Sequence, residues 1–302
     1  MLSSRKFIIV DSSQIEAREV AWISGQNDLV EDFRTGGDPY SCLAMKVFGG
    51  RIWKPTAEEK KTPEGQTADI RRGFGKDAIL GCGFGMGTNT FFDRCRQNET
   101  LRPFFDRGEY TWDTIDKLIK TYRSDYPRIP AFWRTIEMYF RWVTKYPNER
   151  MEYYIPADDF TFKGTVVTNV KARLEPTLRF WKEGSTTIIQ LPSGRRLFYR
   201  YAAVNPKDKS LKYIWGPLWG GTLTENVIQA ICRDLLAGWL LECERQGIHV
   251  VLHSYDELVG CVPDDRAEWA LAEMKRIMIT GPDWAAGLPL GVDSQIAETY
   301  KK

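Results

Sequence analysis

The chain has 302 residues, and its 42 Lys plus Arg against 40 Asp plus Glu leave a formal net charge of +2. With 43% hydrophobic and 27% charged residues it has the balance of a folded globular protein, long enough for one large domain or two ordinary ones, which excludes a disordered chain or a polycationic tail but not a local basic groove. No apolar run nears the ~20 residues of a membrane helix, the N-terminus has too short an apolar core for a signal peptide, and six cysteines without CxxC spacing set aside a structural zinc site and a disulfide scaffold, so a cytoplasmic protein with reduced thiols is expected.

The first element is a short β-branched run, Phe7-Ile8-Ile9-Val10, that ends at Asp11 and reads as a buried strand. Ser12 and Ser13 make a turn, and Ile15, Val20, Trp22 and Ile23 fall on a helix that stops at Gly25. Thr35-Gly36-Gly37-Asp38-Pro39 breaks the chain, and a helix follows from Tyr40 to Phe48. Residues 49–65 read as an exposed loop, Thr67 to about Cys82 as a long helix, and 112–124 and 130–146 as helices parted by Tyr126-Pro127. Residues 147–190 are polar and poorly periodic, an irregular insertion with short strands. Ile188 to Tyr201 holds two strands around a turn at Leu191 to Arg195. Thr222 to Gln246 is a strong helix, His249 to Val262 is a pair of β runs around Tyr255-Asp256-Glu257, and a helix near 264–279 precedes an apolar tail from Leu288 to Val292.

Four groups of residues could carry chemistry. Asp11 at a strand end can be fixed rigidly toward a cleft, although strand ends often carry an Asp as a cap. Asp256-Glu257 at a hairpin tip are either solvated turn residues or ligands for a hard cation such as Mg²⁺, which needs only one or two carboxylates. Arg72, Lys76, Leu80 and Phe84 recur every fourth residue, so they share one broad helix face that could meet a nucleotide, cations on phosphates and apolar groups on the base. Gly73, Gly75, Gly81 and Gly83 cost helix stability and make sense where a backbone approaches another molecule. Glu225, Asn226, Gln229 and Arg233 could line a nucleic-acid groove, or simply form a polar helix face.

These pieces occur in an order that resembles the family A DNA polymerases, the bacterial DNA polymerase I family, in a phage-type form. Asp11 to Arg18 resembles motif A, Arg72, Lys76, Phe84 and Gly85 the finger-helix motif B, and His253 to Leu258 motif C. Tyr122 to Pro127 and Ser193 to Arg196 resemble segments between them, and the likeness runs from about Phe7 to about Val292. The resemblance implies an α+β fold. A small antiparallel palm sheet, Phe7–Asp11 with the 249–262 hairpin, carries the carboxylates and a mainly helical fingers region lies between. The palm would occupy 1–35 and 186–302, the fingers 36–185.

It also implies roles. Asp11, Asp256 and the carbonyl of Ser12 would hold two Mg²⁺ ions, for which Mn²⁺ could substitute, with Glu257 beside them. Lys76 and Arg72 would bind the nucleotide phosphates, and Lys76 would protonate the leaving pyrophosphate. Leu80, Phe84 and Gln14 would border the nucleotide, Glu16 would exclude a ribose 2′-hydroxyl, and Gln229, Asn226, Arg18 and Tyr255 would touch DNA. Phosphoryl transfer suits such a set, because it needs charge neutralisation and in-line positioning while the primer 3′-hydroxyl is the nucleophile. The chain departs from the family at Tyr255, where His is usual, at Leu80, where an aromatic is usual, and at Phe84, where Tyr is usual. It begins almost at motif A, with no match to a thumb or exonuclease. The expected protein is therefore the C-terminal half of a polymerase that acts on primer-template DNA and deoxynucleoside triphosphates with an N-terminal partner polypeptide. A non-catalytic DNA- or partner-binding remnant is the alternative. An RNA polymerase relative fits less well because of Glu16, and a two-metal nuclease does not explain the finger helix.

Overall fold

A computed structural model of the chain describes residues 5–162, 164–167 and 175–300. The chain opens with β1 (Arg5–Ser12), then α1 (Ile15–Ser24), α2 (Asn27–Arg34) and α3 (Pro39–Phe48). The next helices are α4 (Pro63–Gly83), α5 (Thr88–Gln97), α6 (Arg102–Asp106), α7 (Trp112–Asp125) and α8 (Arg128–Lys145). Short strands follow: β2 (Met151–Tyr153), β3 (Phe160–Phe162), β4 (Thr165–Val167), β5 (Leu178–Glu183), β6 (Thr186–Gln190), β7 (Arg196–Arg200), β8 (Ala203–Val204), β9 (Leu211–Tyr213) and β10 (Gly216–Leu218). The chain then runs through α9 (Gly220–Arg245), β11 (Val250–Ser254), β12 (Glu257–Pro263), α10 (Ala267–Ile279) and β13 (Val292–Ala297).

The fold is α+β, as expected, and its principal sheet is antiparallel in the order β11-β12-β1-β13. β1 lies inside this sheet, and Ile8, Ile9 and Val10 are all buried, which is why it reads as a continuous apolar run. The register sets Asp11 opposite Glu257 on β12 and opposite Asp293 on β13. The apolar tail expected from Leu288 to Val292 ends where this fourth strand begins, at Val292. On its alternating face Val292 and Ile296 are apolar but Ser294 is polar and exposed, too weak a pattern to announce a strand.

The helical region forms around local caps. Asp38 caps α3 through the Ser41 amide, and Thr62 caps α4 through the Gly65 amide with Pro63 at its first position. That cap corrects the expected 49–65 loop: α4 starts at Pro63, a short helical turn spans Glu59–Lys61, and Ile52 is buried. α2, α5 and α6 were not anticipated; they bury few residues each, Phe91 and Cys95 on α5 and Phe105 alone on α6. Residues 147–190 are more regular than expected. β2, β5 and β6 join β7 in a second antiparallel sheet, order β2-β5-β6-β7, while residues 163 and 168–174 lie outside the described residues. Phe74 of α4 packs edge-on against Tyr110 and Phe105, so the aromatic load there is core.

Two of the α4 glycines answer to packing within the chain, a correction to their reading as points of approach for another molecule. A Cβ on Gly75 would stand 2.1 Å from the Tyr40 carbonyl oxygen, and one on Gly81 would stand 1.9 Å from Cε of Met86. A Cβ on Gly73 would meet nothing within 4 Å.

Candidate active site

The end of β1, the start of α1 and the β11–β12 turn meet at a cleft of about 670 Å³. Asp11, Ser12, Gln14, Glu16, Tyr255 and Asp256 line it together with Arg72, Lys76 and Leu80 of α4. Three of the four residues spaced by four on α4 thus share one cleft with the paired acids of the sheet. The fourth, Phe84, is the cap residue beyond the end of α4, half-buried against the core and absent from the cleft wall. Its carbonyl packs where a Cβ on Gly221 of α9 would fall, 2.2 Å away.

Backbone hydrogen bonds set the positions of the two acids. The Ser12 amide donates to the Asp256 carbonyl at 3.0 Å, and the Ser13 amide to the Gly291 carbonyl at 2.8 Å, so β1, the hairpin tip and the approach to β13 are locked together. Gln14 and Tyr255 both adopt positive φ, 59° and 56°, an uncommon conformation for residues with side chains. The Tyr255 hydroxyl donates to a Glu16 carboxylate oxygen, so the hairpin tip is also tied to α1. Burial and the Glu16 bond both push the Tyr255 hydroxyl well above its ordinary pKa. The Ser12 hydroxyl is buried without a hydrogen-bond partner.

Glu257 is placed differently from Asp11 and Asp256. It is buried, accepts a 2.7 Å bond from the Tyr300 hydroxyl and does not line the cleft. Arg72 is held by Asp38 through two bonds, Nε at 2.7 Å and Nη2 at 3.2 Å, and its guanidinium lies 5.2 Å from the centre of the Tyr40 ring. Burial pushes the Asp38 carboxyl up, but the bonds from Arg72 and Ser41 outweigh it and hold the group below its ordinary value. Burial raises the Tyr40 hydroxyl to about 12, so it is a neutral wall of the cleft.

Of the residues expected to touch DNA, Arg18 is buried. Its guanidinium donates to the Ser13 and Pro289 carbonyls at 2.8 and 3.1 Å and to Gln14 at 3.3 Å. It also lines the cleft, and its charge supports the sheet-to-helix turn. Gln229 is exposed on α9, and Asn226 donates to the Tyr199 hydroxyl at 3.2 Å; neither borders the cleft. Sequence reasoning missed Asp293, Asp38, Tyr40 and Lys54, all in the cleft wall. Asp293 accepts a 3.0 Å bond from the Ser13 hydroxyl. Only Asp38 carried a signal, as a breaker before Pro39.

Carboxylate and backbone oxygens from Asp11, Asp256 and Ser12 are the donor chemistry of a hard divalent cation, which takes few protein ligands and completes its shell with water or phosphate. Among the described residues no three His, Cys, Asp or Glu side chains converge as a self-sufficient metal cage.

No family model matches the chain. It is 29% identical to a DNA polymerase of Bacillus phage SP02 over 98% of its own length and 41% of that protein. It is 26% identical to DNA polymerase I of Mycobacterium tuberculosis over 40% of its length and 12% of that protein. Among solved structures it resembles the polymerase domain of Pol1 from M. smegmatis, described in complex with DNA primer-template and dNTP. The TM-score is 0.51, with 14% identity, over 99% of this chain and 40% of that one. The chain thus spans about two-fifths of the phage relative, and the resemblance read from its motifs is borne out. No helix among the described residues is long and apolar enough to cross a membrane.

Proposed function

We propose, for a chain related to the DNA polymerase I family, that it supplies the palm and fingers of a template-directed DNA polymerase, joining a deoxynucleotide to a primer 3′-hydroxyl. The observation that carries this reading is that one cleft gathers Asp11 and Asp256 from the sheet with Arg72, Lys76 and Leu80 from α4. Acids and cations lining one cleft suit a triphosphate held in line with an attacking hydroxyl. Asp11 and Asp256, with the Ser12 carbonyl, would hold two Mg²⁺ ions, which when bound lower the barrier by neutralising charge on the attacking and leaving oxygens. Lys76 sits exposed at the cleft, suited to bind the phosphates and to give a proton to the leaving pyrophosphate. Asp38 orients Arg72 at the same wall. Glu16, bound by Tyr255 at the cleft, would exclude a ribose 2′-hydroxyl. Template and primer would extend from the cleft, with an N-terminal polypeptide completing the polymerase.

Primer extension with deoxynucleotides and Mg²⁺ tests the proposal, using the chain alone and mixed with a candidate N-terminal half. Extension by either preparation, reduced in the Asp256→Ala variant to the level of a no-enzyme control, is the expected result. Absence of extension by a folded chain with its bound partner half, or extension undiminished in Asp256→Ala, overturns it.

A further inference from the structure

We infer that the β7–β10 segment forms a second nucleic-acid surface, outside the catalytic cleft, that binds single-stranded DNA by stacking. Residues 195–216 contain six Lys or Arg and one Asp, in a chain whose charges otherwise nearly cancel. The single acid, Asp208, accepts from the Ser210 amide at 2.8 Å, so it is engaged within its own turn. The cations are accompanied by large exposed rings: Phe198 is 59% exposed, Tyr201 65% and Trp215 81%. Single exposed rings are ordinary, but rings grouped in one short segment with cations are the kind of surface that takes a partner.

Their arrangement is fixed rather than incidental. Strand alternation puts Arg196, Phe198 and Arg200 on the exposed face of β7, while Tyr199 is buried on the other and bonds Asn226 of α9. The Ile214 amide donates to the Arg200 carbonyl at 3.1 Å, which brings the backbone of residues 200–201 beside that of 214–215. Tyr201 is held at φ 55°, an uncommon backbone conformation for a bulky residue, and Lys209 at φ 59°. Arg141 of α8 donates to the Lys209 carbonyl at 2.7 Å, and Arg195 bonds Asp234 and the Ala230 carbonyl of α9, so the hairpins are braced on rigid helices.

The occupant is read from chemistry. Flat exposed rings interleaved with Lys and Arg match a strand that offers both bases to stack and phosphates to neutralise. A duplex hides its base faces and would use the cations alone. An acidic protein would match the charge but not the need for ring faces. The surface adjoins the first half of α9 through the Asn226–Tyr199 bond, away from the catalytic cleft.

Fluorescence anisotropy of a labelled oligo-dT strand tests this with the full chain, in EDTA so that binding is separated from metal-dependent chemistry. A Tyr201→Ala/Trp215→Ala variant should lose roughly tenfold or more in single-strand affinity, and much less for blunt duplex. A Lys207→Ala/Lys212→Ala variant should bind with a shallower salt dependence. Retained circular dichroism and thermal midpoint would show that both variants fold. Unchanged single-strand affinity in the aromatic variant, equal loss for duplex, or loss only of binding to a partner polypeptide overturns the inference. The inference goes beyond the polymerase reading and stands apart from it: a chain inactive in primer extension whose strand binding still depends on Tyr201 and Trp215 sinks the first proposal and keeps this one.

Discussion

The Tyr255 hydroxyl and the Glu16 carboxylate join residues 239 positions apart in sequence. One belongs to the tip that carries Asp256, the other to the first turn of the helix that follows Asp11. If Glu16 sets sugar selection, Tyr255 is the residue that holds it in place, acting on specificity through another side chain. Tyr255→Phe removes one hydrogen bond and keeps the ring. A net hydrogen bond of about 0.5–1.5 kcal/mol predicts a fall in deoxy- over ribonucleotide preference of about two- to twelvefold. Matched kcat/KM values for a deoxynucleotide and its ribonucleotide on one primer measure this. A ratio unchanged from the unsubstituted protein would show that Glu16 is oriented without Tyr255. The same pair shows what a motif reading leaves out. The sequence showed an unusual Tyr and a familiar Glu, but not that they meet, because that contact depends on the register of β1 against β12 and on the positive φ of Tyr255.

At the scale of the element, α4 carries glycines of opposite meaning two residues apart. At Gly75 a methyl group would fall on the Tyr40 carbonyl, a backbone atom of the neighbouring α3 that cannot swing away. The helix-propensity gain of Gly→Ala is about 1 kcal/mol, smaller than the overpacking cost of about 1–3 kcal/mol when helices must separate. At Gly73 no atom is within reach, and only the propensity gain remains. Gly75→Ala should therefore lower, and Gly73→Ala raise, the urea midpoint of unfolding; the same sign for both would refute the packing account. Composition could not separate these two positions, since the difference lies in a helix-to-helix distance. What the sequence did disclose was periodic and local: β1, α4 beyond its first turn, α7, α8, α9 and the β11–β12 hairpin all carry their own apolar pattern and turn residues. α2, α5, α6 and β13 were illegible because they are short and take their order from tertiary contact. Within the cleft, Asp11, Asp256, Arg72, Lys76 and Leu80 were legible by spacing, whereas Asp293 reached it only through strand pairing.

For the molecule as a whole, one acid outside the wall of the cleft links stability to pH. Glu19 on α1 is 0% exposed, its carboxylate oxygens make no hydrogen bond of ordinary geometry, and the Cys232 thiol of α9 is the weak donor beside them. Burial raises its pKa well above the ordinary carboxylate value, and the Cys232 thiol acts in the opposite sense without reversing the shift. The folded chain therefore keeps this proton at pH values where the unfolded chain has released it. In that window the native state binds one more proton, so stability falls with rising pH by about 1.4 kcal/mol per unit. The effect is absent below the ordinary carboxylate pKa, where both states are protonated, and levels off only above the raised pKa of the folded state. A neutral isostere removes it: Glu19→Gln should match the unsubstituted protein near pH 4 and exceed it in urea midpoint by a margin that widens from pH 5 to pH 8. Parallel pH profiles for the two proteins would mean that Glu19 ionises in the folded state at its usual pKa. A widening margin would show that α1 and α9 pack around a neutral acid.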